Sequence, residues 1–561
     1  MQTEKAQIGI LRGGNPRNPF ALYVTEILEI EGYSYQLVDI PEDAVDLLIV
    51  PDITLSEEQL SSVLAFAGLG GNLLCLRPNP KLHPLFGLKG DTPPYTWADR
   101  YAVLEDETRL QFHGPADLLH LAGAETVATL LPELDTVWGR HPAVVRLEEG
   151  GRRAAFTFDI ARSTVLFHQG RADQASDGSN PDPDGDGMFK PNDLYINHLD
   201  PRCKHLPQAD IWQDVFVRLL DWLTEKTAPL PRLWRFPDAE PALAFFNGDS
   251  DASTPRDLAL GFETAERYGS KYTLYLKTDG FETLSPVEVQ ELNGKGHEVG
   301  LHPWLKATPT IPEFRHHLIK EYAGFQKRYG YVPATVRNHS LIIAGWVDTP
   351  AIYQEIGVRM DLNVYPARCF QSGYQSGSGL PVKYMNLRGE TLDFYQQATL
   401  AADDTMLTVK CDLPAHTIDG AIQFSIRLLD LIQHRYHSVY QPCFHPIHFR
   451  TTNLKTLPWY EAMQEEVRSR KIRSVNGREW CSFNDARRSV QMQKWGKGWR
   501  LSSQQAVSGL TILWPESVRR VCRTGVSQPL QKVRFGGREA NAQILMVNAE
   551  ESIMLEAEWN P

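Results

Sequence analysis

Phe245-Phe-Asn-Gly-Asp-Ser-Asp251 and Gly296-His-Glu-Val-Gly-Leu-His302 are the stretches whose reading decides the fold. Each is a strand-like run that ends in side chains able to bind a cation or move a proton. Three further segments repeat the arrangement: Arg337-Asn-His339, Met360-Asp361 and Cys443-Phe-His445-Pro-Ile-His448. Strand ends are where a barrel or a doubly wound sheet presents its chemistry. Carboxylates followed by histidines supply hard or borderline ligands, a base and an acid, which is what a metal-activated water requires. The order predicts a hydrolase on an α/β fold.

Outward from these motifs, segments 243–246, 272–276, 298–301, 335–336, 358–362 and 439–444 read as strands. Segments 255–268, 311–329 and 420–436 read as helices between them, so a closed or nearly closed (β/α) barrel is expected over 238–485. Upstream, Ile8-Gly-Ile-Leu11, Tyr35-Gln-Leu-Val38, Asp46-Leu-Leu-Ile-Val-Pro51 and Gly70-Gly-Asn-Leu-Leu-Cys-Leu76 read as strands of an α/β unit covering 1–230. A helix opens after Leu55 with Ser56 as its N-cap, and the strand–helix alternation implies parallel pairing. The Pro-rich segment 227–237 reads as a linker. After 488, short strands separated by Gly, Ser and Pro predict a small β-sandwich over 488–561.

The chain of 561 residues is too long for one core and carries a prior of roughly three domains. Its 42% apolar and 22% charged residues are ordinary for a globular protein. A formal charge of −12 without a basic stripe argues against nucleic acid as partner. No apolar run has the length of a membrane span, and the first residues lack a basic head followed by an apolar stretch. Seven cysteines without paired spacing suit a reducing compartment, so the expected location is cytoplasmic.

Asp249 and Asp251 stand two apart on an extended chain, so both carboxylates are expected to face one pocket, one holding a metal and the other deprotonating water. The alternative is an Asp-Ser-Asp turn capping the next helix. His302 is a candidate ligand, against a packed histidine beside Trp304. His297 is expected on the other side of its strand. Arg337 can clamp the base carboxylate, or form a surface ion pair. Asp361 can orient Arg337 or cap a turn; His339 can reach the metal; His445 or His448 can be the general acid. A separate acidic stretch, Asp182-Pro-Asp-Gly-Asp-Gly187 with Asp193, has acids at positions one, three, five and twelve and Gly at six, the spacing of a Ca²⁺ loop, against a plain acidic loop.

The ordered set Asp-Asp, Gly-His-Glu-Val-Gly-x-His, Arg, strand-Asp and x-x-His resembles the polysaccharide deacetylase superfamily (carbohydrate esterase family 4 and relatives) over roughly 240 to 450. The resemblance implies a distorted (β/α) barrel and a divalent metal, usually Zn²⁺, held by one Asp and two His. It implies removal of an N- or O-acetyl group from an acetylated saccharide or related small compound. Carried over, Asp249 matches the base, Asp251 the metal aspartate, His302 the first metal histidine, Arg337 the arginine that positions the base and His445 the acid. Ser250 separates aspartates that are adjacent in the family, so their roles can be exchanged. Lys306 stands where the family has its second histidine, which makes His339 the candidate third ligand and His297 the next. The alternative function is a catalytically silent carbohydrate-binding protein, which the Lys306 substitution favours. The N-terminal unit resembles the class I glutamine amidotransferase-like, flavodoxin-like fold, but Cys75 lacks the glycine-flanked elbow of that nucleophile and reads as core. An active amidotransferase-like unit would be the third reading.

Overall fold

The computed structural model describes residues 8–40, 45–175, 187–227, 229–277, 284–305, 309–366, 370–409, 413–496 and 498–559. The N-terminal region is built on a nine-stranded sheet. Gln36–Val38, Ile8–Leu11, Leu47–Val50, Asn72–Leu76 and Arg152–Phe156 are neighbours in that order and all parallel. In chain order this is 2-1-3-4-5, the doubly wound arrangement of flavodoxin-like sheets. Alternation does the sorting: Leu47 and Ile49 enter one apolar cluster, Leu48 and Val50 the one on the opposite face. Ser56 caps Glu57–Gly68 in a reciprocal capping box with Gln59, as its position predicts. The sheet then continues through four antiparallel strands, Pro142–Glu148, Glu125–Leu131, Thr96–Leu104 and Arg109–Asp117, which the motif reading does not draw.

The central sheet also has nine strands, labelled here in chain order: β1 Asn247–Asp249, β2 Thr273–Leu276, β3 Glu298–Leu301, β4 Thr335–Val336, β5 Met360–Asp361, β6 Val382–Met385, β7 Thr391–Gln396, β8 Ala401–Ala402 and β9 Pro442–Cys443. Their order is β6-β7-β5-β4-β3-β2-β1-β9-β8, parallel throughout except for the β6–β7 pair. Among the described residues no ladder joins β6 to β8, so the sheet is a half-barrel, the open form of the closed or nearly closed barrel expected from the sequence. Leu274 and Leu276 face the helix-covered cluster with Phe262, Phe314 and Phe325, while Tyr275 faces an inner cluster with Met360, Tyr395 and Trp480. Helices Pro255–Arg267, Pro286–Gly294 and Ile311–Tyr329 each start with a Thr or Ser capping box and a proline in the first two positions. The first of these boxes, at Thr254, stops the chain from continuing as a strand just past Asp251.

β6 is one of the two edges, and its backbone is satisfied by N-terminal side chains. Lys383 N–H donates to Glu26 Oε1 (3.0 Å) and Met385 N–H to Gln169 Oε1 (2.8 Å). The carbonyls of the same two residues accept from Tyr23 OH (2.7 Å) and Gln169 Nε2 (2.9 Å). Side chains thus complete an open edge that would otherwise need another strand.

In the Pro-rich segment read as a linker, the described residues from 229 to 237 are packed against the rest of the fold. Arg232–Leu233 pairs antiparallel with Val507–Pro515, and Leu230, Trp234 and Phe236 are buried. The C-terminal strands form two antiparallel sheets, and Trp499 and Leu501 of one share an apolar cluster with Ile512 and Trp514 of the other. Among the described residues no helix is long and apolar enough to cross a membrane.

Candidate functional site

The C-terminal ends of β1, β3, β4, β8 and β9 converge. Gly248 permits this closeness, because a Cβ there would stand 1.9 Å from the Phe444 carbonyl oxygen. Asp249 closes β1. Beyond it Ser250 N–H donates to the Tyr275 carbonyl (2.9 Å), and its Oγ accepts from Lys277 N–H (3.1 Å). Asp251 then takes a left-handed backbone, φ +40°. A non-glycine residue there costs of order 1–3 kcal/mol, and such conformations persist where neighbours fix them. The extended geometry expected through Asp251 therefore ends one residue early. Both carboxylates nonetheless face the same imidazole: His445 Nε2 is 3.5 Å from Asp249 Oδ2 and 3.9 Å from Asp251 Oδ2.

Asp251 Oδ1 is 3.3 Å from His302 Nε2 and 3.1 Å from His339 Nδ1, and the two nitrogens are 3.3 Å apart. His302 Nδ1 lies 2.7 Å from the Arg337 carbonyl, which can only accept, so Nδ1 carries the hydrogen and Nε2 presents its lone pair. His339 is held by ring stacking on Trp304 at 4.2 Å and 7°. A tetrahedral ion with bonds of ~2.0–2.1 Å sets its donors about 3.3 Å apart, and one carboxylate with two imidazoles is a borderline donor set suited to Zn²⁺. The three residues fit such an ion in both spacing and chemistry. Burial disfavours the Asp251 carboxylate, but its close contacts with the His302 and His339 rings and the His445 charge hold it far below the ordinary carboxylate range.

Arg337 is fully buried, and its donors are consumed in one cradle. Nη1 shares its two hydrogens among Asp249 Oδ1 (3.2 Å), Asn247 Oδ1 (2.7 Å) and Cys443 Sγ (2.8 Å), while Nη2 donates to Thr399 Oγ1 (2.8 Å) and Nε to the Leu362 carbonyl (3.2 Å). Against the penalty of burial, Arg337, His302 and His445 keep Asp249 ionised, its pKa lowered to about 2. On the other side, Asp403 grips His445 twice, through the backbone N–H (2.8 Å) and through Nδ1 (2.6 Å). Burial works against the imidazolium, but Asp403, Cys443 and Asp249 outweigh it and raise its pKa well above the ordinary value.

The sequence reading misses Asp403, Asn247 and Thr399. Asp403 follows the apolar run Leu400-Ala-Ala, the same strand-then-acid signal that marks Asp249. Two expectations are corrected. Asp361 does not orient Arg337: its register partner is Val336, so its side chain takes the face opposite Arg337 and accepts from Tyr384 OH (3.3 and 3.2 Å). His297 is not a ligand candidate, because its ring packs on Phe262 and Glu266 and its Nδ1 accepts from Tyr272 N–H. His448 bonds Thr452 Oγ1 through Nδ1 (2.9 Å), with its ring 5.4 Å from that of His445. Cys75 is buried mid-strand with its thiol pKa pushed up by burial, the state of a core residue and not of a nucleophile. Lys306 and the acids at 182, 184 and 186 lie outside the described residues; Asp193 is buried and accepts from Lys190 N–H (2.8 Å).

Burial raises the Asp361 carboxyl to about 7. A carboxyl raised above its unfolded value of about 3.9 loses stability for the fold as pH climbs between the two, reaching about 4 kcal/mol at most above pH ~7. Asp361→Asn is therefore expected to raise the melting temperature at pH 8 but not at pH 4, with activity retained. Equal melting shifts at both pH values would contradict it.

No family model matches the chain, and no curated protein matches it. Among solved structures, a candidate polysaccharide deacetylase from Mycobacterium smegmatis is 13% identical over 44% of this chain and 91% of that one, with a TM-score of 0.35. Puue allantoinase is 10% identical over 44% and 91%, TM-score 0.35. A family 4 acetyl xylan esterase from Clostridium thermocellum, in complex with a cobalt ion, is 13% identical over 43% and 90%, TM-score 0.27.

Proposed function

We propose that this protein is a metal-dependent hydrolase of the deacetylase type, which removes an acetyl group from a saccharide or a related small compound. The observation that carries the reading is the triangle of donors on Asp251, His302 and His339, with a clamped carboxylate and a carboxylate-held imidazole beside it. A divalent cation held by those three residues would supply Lewis acidity toward an acyl oxygen and toward water. The aspartate roles follow the partners: Asp251 lies against both histidines, and Asp249 lies against Arg337.

Asp249, already ionised, accepts the proton of an attacking water. Arg337 fixes the carboxylate so that its second oxygen points toward His445. His445, protonated because Asp403 favours the imidazolium, gives its Nε2 proton to the departing nitrogen or oxygen. Asp403 fixes the ring through Nδ1 so that Nε2 faces the two aspartates. The half-barrel of the central sheet, the flanking α/β and β-sandwich units and the core position of Cys75 are consistent with this reading.

The test is elemental analysis of the purified full chain together with acetate release from acetylated saccharides. About one divalent cation per chain and a loss of ~100-fold or more in kcat for Asp249→Asn are expected. A metal-free protein with full activity after Asp249→Asn overturns the proposal. A metal-bound protein inert to all acetylated saccharides points instead to a silent carbohydrate-binding protein.

A further inference from the structure

Beside the proposed site stands a second donor set that shares His445 and Asp403 with its machinery and adds His448. Asp403, His445 and His448 each offer one ligand atom, all within 4.8 Å of one another. Asp403 and His445 are buried at fixed points of the fold, Asp403 opening the helix Asp403–Met406 and His445 capping Pro446–Arg450. His448 lies one turn along that second helix and uses Nδ1 on Thr452, which leaves Nε2 for a cation. Two imidazoles and a carboxylate form the same borderline donor set as the primary group.

Spacing ranks the two. Donors of the primary group already stand 3.1–3.3 Å apart. Asp403 Oδ1 and His445 Nδ1 are 2.6 Å apart and must separate by ~0.7 Å to seat an ion with bonds of ~2.0–2.1 Å. The second set therefore binds more weakly.

We propose that Asp403, His445 and His448 form a second, inhibitory divalent-cation site that fills only at excess Zn²⁺ and disables the general acid. The inference rests on reading Asp251, His302 and His339 as the primary site and His445 as the acid. On binding, a bond from His445 Nδ1 to the cation replaces the N–H bond, the proton goes to solvent, and no electron changes hands. The ring can then no longer be an imidazolium, and its Nε2 proton is far harder to give up.

The test titrates Zn²⁺ into the full chain by calorimetry while acetate release from acetylated saccharides, whose leaving group needs the acid, is followed. Two classes of site are expected, with activity falling as the weaker one fills. His448→Gln and His448→Asn are each expected to weaken the second class at least ~10-fold and remove the inhibition, leaving the first class and the basal rate unchanged. A single class of site in the wild type, or inhibition that persists in both His448 variants, overturns the inference. Asp251→Asn separates it from the parent reading. Loss of the first class alone supports both, whereas an unchanged first class overturns the assignment of Asp251 and leaves the second site standing.

Discussion

Replacing Arg337 with methionine is expected to destabilise the protein by about 3–5 kcal/mol, measured by urea denaturation at pH 7. The guanidinium is the countercharge of Asp249 inside the sheet, and both are buried. Its removal strands a carboxylate in low dielectric and leaves Asn247 Oδ1 and Thr399 Oγ1 without their donor. The cost lies mainly in the abandoned charge, so Arg337→Met combined with Asp249→Asn is expected to recover part of the loss. A single variant within ~1 kcal/mol of wild type, or a double variant less stable than the single, would show that the pair is not coupled as its geometry requires.

His445→Ala is expected to lower kcat by ~10²–10⁴-fold with little change in KM, the usual contribution of a positioned proton donor. Asp403→Asn tests the cause rather than the residue. Asp403 keeps His445 protonated to higher pH, so without that charge the imidazolium is lost sooner and the alkaline limb of the kcat/KM profile moves to lower pH. An unmoved limb with a uniformly lower rate would mean that Asp403 serves the fold alone.

The sequence makes the strand ends legible because strand and chemistry share one short stretch: an apolar run stops and a titratable residue follows. Asp249, His302, Arg337 and His445 all carry this signal, and the structure brings them to one edge of the sheet. The left-handed turn at Asp251 is less visible, since it depends on bonds from Ser250 to β2 that local sequence does not announce. The cradle around Arg337 is harder still. Its acceptors come from β1, the residue after β5, the segment before β8, and β9, and only the folded sheet order makes them neighbours. Asp361 misleads for a related reason: adjacency on neighbouring strands says nothing about face until register is known.

The covered edge at Val382–Met385 reaches into the chemistry. Glu26, Tyr23 and Gln169 hold that strand, which holds Thr391–Gln396, which in turn holds Met360–Asp361. The carbonyl that steadies the Arg337 Nε belongs to the very next residue, Leu362. Excising the first two hundred or so residues to obtain a minimal fragment would therefore loosen the scaffold from its rim toward Asp249. The N-terminal unit is a buttress for the central sheet, and the two behave as one mechanical object.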